Sequence, residues 1–315
     1  MTLGSWALAA LAAGYTLIRV LGAERGTPLV QLMTYTPYAA AGLLAAATVV
    51  LALGATAPGL TLAACGLILA VLVAPRMIPG PRPGGGVRLR VMCANLLFGR
   101  SATPAFVEQL KVDDIDVLAV QELTAEGLAV LDEAGIEDLL PHRVVRPRPG
   151  GGGSGLFSRH PITDPAVRTL GPIVLAQASA TVHAPGAGPV RIESAHPYPP
   201  RPGHMHQWAQ NIVDQTPPDP AGPPRVLLGD FNSTLDHAVL RRLLRGGYRD
   251  AAASRGRGLA MTWPCRTETL PFWTPPVTLD HVLVDPRIGV REFGTRPAGP
   301  SDHRPVVAEL VLPPA

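Results

Sequence analysis

The sequence predicts an α/β or α+β domain of about 230 residues attached to three transmembrane helices. Three observations favour this class. Residues 1–78 form long apolar segments in which charged side chains are scarce. A Pro/Gly-rich stretch, PGPRPGGGV at residues 79–87, then interrupts the pattern. After it, short apolar runs alternate with helical patterns and turns, which is typical of sheets covered by helices.

The N-terminal segments are predicted to cross a membrane. The apolar stretches are residues 3–22, 38–57 and 59–75, and a bilayer core of ~30 Å requires about 20 apolar residues per helix. The first two are long enough and the third is a little short, and Pro58 is predicted to form the hairpin between the second and the third. A signal peptide would need a basic start, and a soluble bundle would need polar faces; neither is visible. Residues 1–78 are therefore predicted as the anchor, 79–87 as a linker and 88–315 as the second domain.

Charge and cysteine content exclude several classes of protein. The 315-residue chain has a net charge of +3 and a single lysine, which is unlike the basic surface of a dedicated nucleic-acid binder. The three cysteines, Cys65, Cys93 and Cys265, have no zinc-ligand spacing and do not form a disulfide-rich pattern. The glycine-rich run Gly150–Gly155 lacks the Gly-Lys-Ser/Thr of a phosphate-binding P-loop.

The second domain is predicted from its apolar runs and helix signals. Thr103 and Pro104 suit the N-cap and first turn of a helix that continues to about Lys111. Further helices are predicted at about residues 124–134, 204–215 and 234–245. The predicted strands are residues 87–97, 116–122, 155–159, 178–184, 189–195, 225–231, 279–284 and 305–312.

Several of these strands end or begin with polar residues of the same few kinds. They are Asn95, Gln121, Glu122, His196, Asp230, Asn232, Asp280, Asp302 and His303. A buried carboxylate is costly unless it is paired or binds a cation. Carboxylate oxygens suit Mg²⁺ or Mn²⁺, which also bind phosphate. Each residue alone has an ordinary alternative, such as an Asx turn or a strand cap, but the set predicts a cation and phosphate site.

The order and spacing of these residues resemble the endonuclease/exonuclease/phosphatase superfamily. The motifs that carry the resemblance are Gln121-Glu122, the GDFN sequence at 229–232 and the SDHRPV sequence at 301–306, with Asn95 upstream. The resemblance covers residues ~88–312. It implies a four-layer sandwich, in which two mainly antiparallel β-sheets face each other and helices cover their outer faces. This chain departs from the family in having Ala195 before His196, where a threonine is usual.

The resemblance also implies roles for the polar residues. Glu122 would be the main ligand of Mg²⁺ or Mn²⁺, with Asn95 and Asp302 near the ion. Asp230 would orient or deprotonate the attacking water, and Asn232 would hold water and phosphate. His303 would contact the phosphoryl group, Asp280 would orient its ring, and His196 would donate a second hydrogen bond to phosphate.

Three functions remain open. The first is a membrane-anchored, metal-dependent phosphoesterase acting on a lipid-linked or other envelope phosphate. The second is a nuclease of the same fold, and the third is an inactive binding domain. Trp263 and the Phe272-Trp273 pair could line the substrate groove, touch the membrane interface or pack on the surface.

Two observations give opposite predictions for the side of the membrane on which the second domain lies. Arginines at positions 19, 25 and 76 flank the first connection and the end of the third segment, so the positive-inside rule places the second domain in the cytoplasm. The layout also resembles actinobacterial teicoplanin-resistance-type membrane proteins, whose domain faces outward. We favour the outward side.

Overall fold

The computed structural model describes residues 2–171, 175–265, 271 and 273–315. The helices are α1 (Thr2–Leu21), α2 (Leu29–Met33), α3 (Thr36–Ala52), α4 (Thr56–Val73), α5 (Pro104–Val112), α6 (Ala125–Glu133), α7 (Ile136–Leu139), α8 (Met205–Val213), α9 (Ala238–Arg245) and α10 (Ala251–Ser254). The strands are β1 (Val87–Asn95), β2 (Val117–Gln121), β3 (His142–Arg146), β4 (Ser154–Ser158), β5 (Ile162–Leu170), β6 (Leu175–Val182), β7 (Val190–Ala195), β8 (Arg225–Asp230), β9 (Arg249–Asp250), β10 (Asp280–Val284), β11 (Gly289–Thr295) and β12 (Val306–Leu312).

The strands form two six-stranded mixed sheets. Their orders are β11-β12-β1-β2-β4-β3 and β5-β6-β7-β8-β10-β9. The pairs β1–β2 and β7–β8 are parallel, and the other neighbouring pairs are antiparallel. This arrangement confirms the predicted α/β class and its mainly antiparallel sheets.

Side chains that alternate along the strands fill three apolar layers. Between the sheets lie residues such as Cys93 and Ala119 of the first sheet and Ile192 and Leu228 of the second. The outward-pointing residues of the first sheet pack under α5 and α6, and those of the second under α8 and α9. The domain is therefore a four-layer sandwich, as the sequence resemblance implies, because each sheet buries both of its faces.

The register of the strands brings the polar residues to one edge of the sandwich. Asn95 pairs with Gln121 across the parallel β1–β2 pair, and Asp230 pairs with Asp280 across the antiparallel β8–β10 pair. Strands β1, β2 and β8 therefore end where β10 begins. Gly229 allows this close assembly, since a Cβ there would lie 2.0 Å from the carbonyl oxygen of Ala195.

The N-terminal helices differ in detail from the prediction. Among the described residues, two stretches, Leu3–Leu21 and Thr56–Met77, are by length and composition apolar enough to cross a membrane, whereas Thr36–Ala52 is shorter. The prediction that the third segment is the short one is wrong. The predicted position of Pro58 is wrong as well: it lies in the first turn of α4 rather than in the hairpin, because proline is well tolerated at the start of a helix.

The predicted helix at 234–245 also begins later, at Ala238. Thr234 and His237 instead form a turn in which the Nδ1 atom of His237 accepts a hydrogen bond from the backbone N–H of Thr234, 2.9 Å away. This turn leads from the end of β8 to α9 and presents Asp236 to the N-terminal helices.

A buried ionic cluster joins the N-terminal helices to this turn. The Asp236 carboxylate accepts hydrogen bonds from Arg19 at 2.9 and 3.1 Å and from Arg76 at 2.7 Å. Asp236 and Arg19 are 1% and 4% exposed. Val30 of α2 also packs into the apolar layer under α8 and α9, and its carbonyl oxygen lies 2.9 Å from His237 Nε2. The first connection between the apolar helices is therefore docked against the sandwich.

Candidate active site

All eight predicted site residues meet at one edge of the sandwich. The edge borders a cavity of about 800 Å³. Six of the eight line it: Glu122, His196, Asp230, Asn232, Asp302 and His303. Asn95 and Asp280 lie behind them and hydrogen-bond to residues of the cavity wall.

The acidic side of the cavity is built around Asn95. Its side-chain nitrogen lies 3.1 Å from Glu122 Oε1 and 3.1 Å from Asp230 Oδ2, so one amide group bridges the two carboxylates. Its oxygen accepts a hydrogen bond from the backbone N–H of Leu97 at 2.9 Å. In this orientation Asn95 positions the carboxylates. Its assignment as a cation ligand stays a prediction and requires the amide to turn over.

Glu122 is held in an uncommon backbone conformation. Its φ of 59° lies in the left-handed region, which a residue with a long side chain seldom adopts. The carboxylate is fixed by Asn95 and by the backbone N–H of Phe98, 2.9 Å from Oε2. Asn232, with a φ of 48°, has the same conformation just after β8. Strained residues of this kind cluster at functional sites, where surrounding contacts hold a side chain in position.

On the opposite side, His303 links two carboxylates. Its Nδ1–H donates to Asp280 Oδ2 at 2.9 Å, and its Nε2 lies 3.7 Å from Asp230 Oδ2. Burial lowers the pKa of His303, but the charges of Asp280 and Asp230 outweigh burial and raise it to about 10. The imidazole is therefore protonated at neutral pH and presents a positive charge at the cavity wall.

His196 and Asn232 also lie near Asp230, and they differ in their hydrogen-bond partners. Burial lowers the pKa of His196, whose Nε2 lies 3.9 Å from Asp230 Oδ2. Its Nδ1 has no hydrogen-bond partner within the described part of the chain. Asn232 donates its backbone N–H to Asp230 Oδ1 at 2.8 Å and its side-chain N–H to the Pro197 carbonyl at 3.1 Å.

Asp230 is the residue on which these contacts converge. Its side chain is buried, and burial raises the pKa of its carboxyl group, while His303 opposes the shift and Asp280 adds to it. A carboxyl group with a raised pKa is a stronger base once ionised, which suits a group that takes a proton from water.

The carboxylate of Asp302 is held by a tryptophan side chain. Its Oδ2 accepts a hydrogen bond from the indole N–H of Trp263 at 3.0 Å. Trp263 lines the cavity, which agrees with one of the alternatives predicted for it, and its ring centroid lies 6.2 Å from that of His303. Trp273 is exposed, and Phe272 lies outside the described residues.

The acidic groups fit a divalent cation. Three carboxylates, from Glu122, Asp230 and Asp302, line the cavity, and a fourth, from Asp280, lies behind them and accepts a hydrogen bond from the protonated His303. Asp280 Oδ1 is buried and has no hydrogen-bond partner within the described part of the chain. Asp230, Asp280 and His303 also each place one oxygen or nitrogen within 4.8 Å of the others. Such an excess of negative charge, part of it on the buried Asp230 and Asp280, suits a positive ion.

The sequence did not predict several contacts that support the site. The hydroxyl of Thr262 accepts hydrogen bonds from the backbone N–H groups of Leu279 and Asp280, at 3.0 and 3.2 Å, and so fixes the start of β10. Gln121 donates to Ser194 at 2.9 Å and ties the two sheets together beneath the cavity. These residues come from distant parts of the chain, and no local pattern in the sequence signals their contacts.

The cavity wall also includes residues from the N-terminal region. Gln31, Thr34 and Tyr35, at the end of α2 and just after it, line the cavity together with the catalytic candidates. Gln31 donates a hydrogen bond to the carbonyl of Pro200 at 2.8 Å, which holds α2 at the rim. From the sequence, this connection is predicted only as part of the anchor.

Comparison with known proteins agrees with this geometry. The fold resembles that of an endonuclease/exonuclease/phosphatase from Beutenbergia cavernae, with a TM-score of 0.58, 20% identity, and 72% of each chain covered. It also resembles truncated TDP2 from Caenorhabditis elegans, with a TM-score of 0.56, 16% identity, and 72% of this chain and 99% of that one covered. A family protein from Leptotrichia buccalis gives a TM-score of 0.54 at 15% identity, covering 70% and 99%. No curated protein matches the chain in sequence.

The family model described as Endonuclease/Exonuclease/phosphatase family matches residues 92–303. This range contains all eight of the predicted site residues, from Asn95 to His303. By sequence pattern, fold and site together, the chain belongs to the endonuclease/exonuclease/phosphatase family.

Proposed function

We propose that this protein is a membrane-anchored phosphoesterase that depends on a divalent cation and hydrolyses a phosphate ester or pyrophosphate with an activated water. Members of its family are phosphoester hydrolases. The observation that carries the proposal is the single cavity that gathers Glu122, Asp230 and His303 beside Tyr35 of the N-terminal region. The substrate proposed for this enzyme is a lipid-linked envelope phosphate.

Glu122 would hold the cation, Mg²⁺ or Mn²⁺, with Asp302 and Asn95 close to it. When bound, the cation neutralises phosphoryl oxygens and stabilises the leaving oxygen. Asn95 keeps Glu122 and Asp230 in position through its amide group. Together these residues orient the phosphate so that its phosphorus faces Asp230.

The remaining polar residues act on water and phosphate. Asp230 accepts the proton of the attacking water, since burial makes its carboxylate more basic. His303, kept protonated by Asp280, donates a hydrogen bond to a phosphoryl oxygen. His196 and Asn232 border the same space and supply further donors. Donors aimed at developing charge contribute about 2.7–4 kcal/mol each where their removal has been measured.

The anchor consists of α1, α3 and α4 within residues 1–78, followed by the linker 79–87 and the catalytic domain 88–315. Large apolar side chains on these helices are exposed, among them Leu3, Leu11, Leu60 and Val71. Apolar side chains exposed in this way suit contact with lipid. In the proposed topology the helices span the cell membrane and the catalytic domain faces outward, as in teicoplanin-resistance-type proteins.

The composition of the cavity wall favours a substrate with an apolar part. Tyr35, Leu97, Phe98 and Leu175 contribute to it. Arg201 is the one lysine or arginine among the described residues of the wall. A groove for a polynucleotide needs several basic side chains along the backbone of its ligand. The wall therefore suits a lipid phosphate better than DNA or RNA.

Removal of the metal is expected to abolish turnover. We expect the full chain in detergent micelles to hydrolyse bis-p-nitrophenyl phosphate with Mg²⁺ or Mn²⁺, to lose this activity in EDTA and to regain it with added Mg²⁺. Glu122→Gln should raise the Mg²⁺ concentration for half-maximal activity at least about tenfold, because it removes a charged ligand. The exposed Glu126 provides the matched control, and Glu126→Gln should behave as wild type.

Parallel assays with plasmid DNA and a prenyl pyrophosphate decide the substrate class. Hydrolysis of the prenyl pyrophosphate supports the proposal. Cleavage of DNA alone would identify a nuclease. Absence of turnover with every substrate and either metal would identify a binding domain.

A further inference from the structure

The N-terminal helices contain an apolar groove separate from the catalytic cavity. Helix α4 packs against both α1 and α3, which leaves a space of about 630 Å³ between α1, α2 and α3. Its lining includes Leu11, Ile18, Leu29, Leu32 and Leu43. None of the described residues that line it is charged.

Helix α2 lies between the groove and the catalytic cavity. Leu29 and Leu32 face the groove, whereas Gln31, Thr34 and Tyr35 line the cavity. Leu29 and Leu32 are three residues apart and share one face of the helix, whereas Thr34 and Tyr35 follow its end. Helix α2 and the residues just after it therefore contribute to the walls of both spaces. Tyr15 fixes the junction by donating a hydrogen bond to the Leu32 carbonyl at 3.1 Å.

The dimensions of the groove match one leaflet of a bilayer. Leu8 and Ile18 are the outermost lining residues of α1 and lie ten positions apart. At about 1.5 Å per residue, the groove therefore extends about 15 Å along α1. The hydrocarbon core of a bilayer is ~30 Å thick, so each leaflet contributes ~15 Å. The end at Ile18 lies nearest the catalytic domain, since Arg19 bonds to Asp236.

We propose that this groove binds the hydrocarbon chain of the substrate while its phosphate lies in the catalytic cavity. The inference rests on the proposed function and deepens it, because it makes the anchor a part of the substrate-binding site. An amphipathic lipid phosphate passing over α2 would bring its charged end to Glu122 and His303 and leave its chain among α1 and α3. The wall formed by Gln31, Thr34 and Tyr35 would contact the region where the head group joins the chain.

Two glycines make the groove testable without disturbing the catalytic site. Gly14 of α1 and Gly42 of α3 line the groove, and a Cβ built at either position meets no atom within 4 Å. A leucine there fills the groove and also favours the helix. Gly4, in α1 but outside the lining, likewise has open space around it, so Gly4→Leu is the matched control.

The experiment compares farnesyl pyrophosphate with dimethylallyl pyrophosphate, which has the same head group and a shorter chain. In wild-type full chain in detergent micelles, we expect kcat/KM to be at least about tenfold higher for the longer substrate. Gly14→Leu and Gly42→Leu should lower kcat/KM for farnesyl pyrophosphate at least about tenfold and leave the shorter substrate within about twofold. An unchanged long-chain rate, or equal loss with both substrates, would overturn the proposal.

A binding measurement separates this proposal from the proposed function. A farnesyl phosphate with a photoreactive group at the end of its chain should label peptides containing residues 8–18 and 39–46, and Gly42→Leu should reduce the labelling at least about fivefold. This readout requires no turnover. If the wild-type protein hydrolyses no P–O bond yet labels in this pattern, the proposed function fails and the groove remains. Labelling elsewhere, or undiminished in Gly42→Leu, would overturn the groove proposal.

Discussion

Asp230→Asn is expected to lower kcat by about 10²–10⁴-fold while leaving the fold intact, since this is what general-base catalysis typically contributes. The amide cannot accept the proton of the attacking water. It retains the size of the carboxylate and can still accept the backbone N–H of Asn232. Steady-state hydrolysis of bis-p-nitrophenyl phosphate by the full chain with Mg²⁺ measures the effect.

The free energy of unfolding of Asp230→Asn provides a second measurement. It should not fall, although kcat does. The pKa of Asp230 is raised by burial and by Asp280, so its ionised form is disfavoured in the folded protein. Removing the charge should leave the free energy of unfolding unchanged or higher, as is common where active sites are strained. The exposed Asp219 is the control, and Asp219→Asn should alter neither activity nor stability by much. Retention of wild-type kcat would exclude Asp230 as the base.

Asp236→Ala is expected to destabilise the full chain by about 3–5 kcal/mol, the usual cost of removing one partner of a buried ion pair. Its loss leaves Arg19 and Arg76 close together, 4% and 8% exposed, without their shared carboxylate. Equilibrium unfolding in detergent micelles, followed by circular dichroism, measures the change. The contacts that join α1 and the segment just after α4 to the turn after β8 should weaken together with stability.

A surface ion pair provides the comparison for Asp236. Glu108 and Lys111 lie 3.3 Å apart on the exposed face of α5, and Glu108→Ala should cost less than about 0.5 kcal/mol. A loss in Asp236→Ala no larger than in Glu108→Ala would mean that the Arg19–Asp236–Arg76 cluster does not dock the helices on the catalytic domain.

The sequence predicts the central strands well and the edge strands poorly. Strands β1, β2, β8 and β12 are buried and appear as continuous apolar runs. The strands at the sheet edges were missed because only one or two side chains in each are buried, so no apolar run marks them. These strands are β3, β5 and β11, and β5 even contains Pro165. Proline is confined to such edges because it cannot donate to a ladder.

The site was predictable where its residues adjoin strand ends. The structure explains the GDFN sequence: Gly229 allows close approach to Ala195, and Asp230 is the last residue of the strand. The role of Asn95 as a bridge between carboxylates depends on which way its amide faces, which the sequence does not encode. The contribution of Tyr35 depends on the docking of α2, a contact between segments more than 80 residues apart.

The central claim is that these groups gather around one divalent cation and use water to split a P–O bond. Hydrolysis of bis-p-nitrophenyl phosphate in ¹⁸O-labelled water, with mass measurement of both products, tests it most directly. We predict that wild-type full chain with Mg²⁺ places one ¹⁸O in the phosphate product and none in the nitrophenol, and that EDTA prevents the reaction. Label in the nitrophenol, or hydrolysis undiminished by EDTA, would contradict the claim.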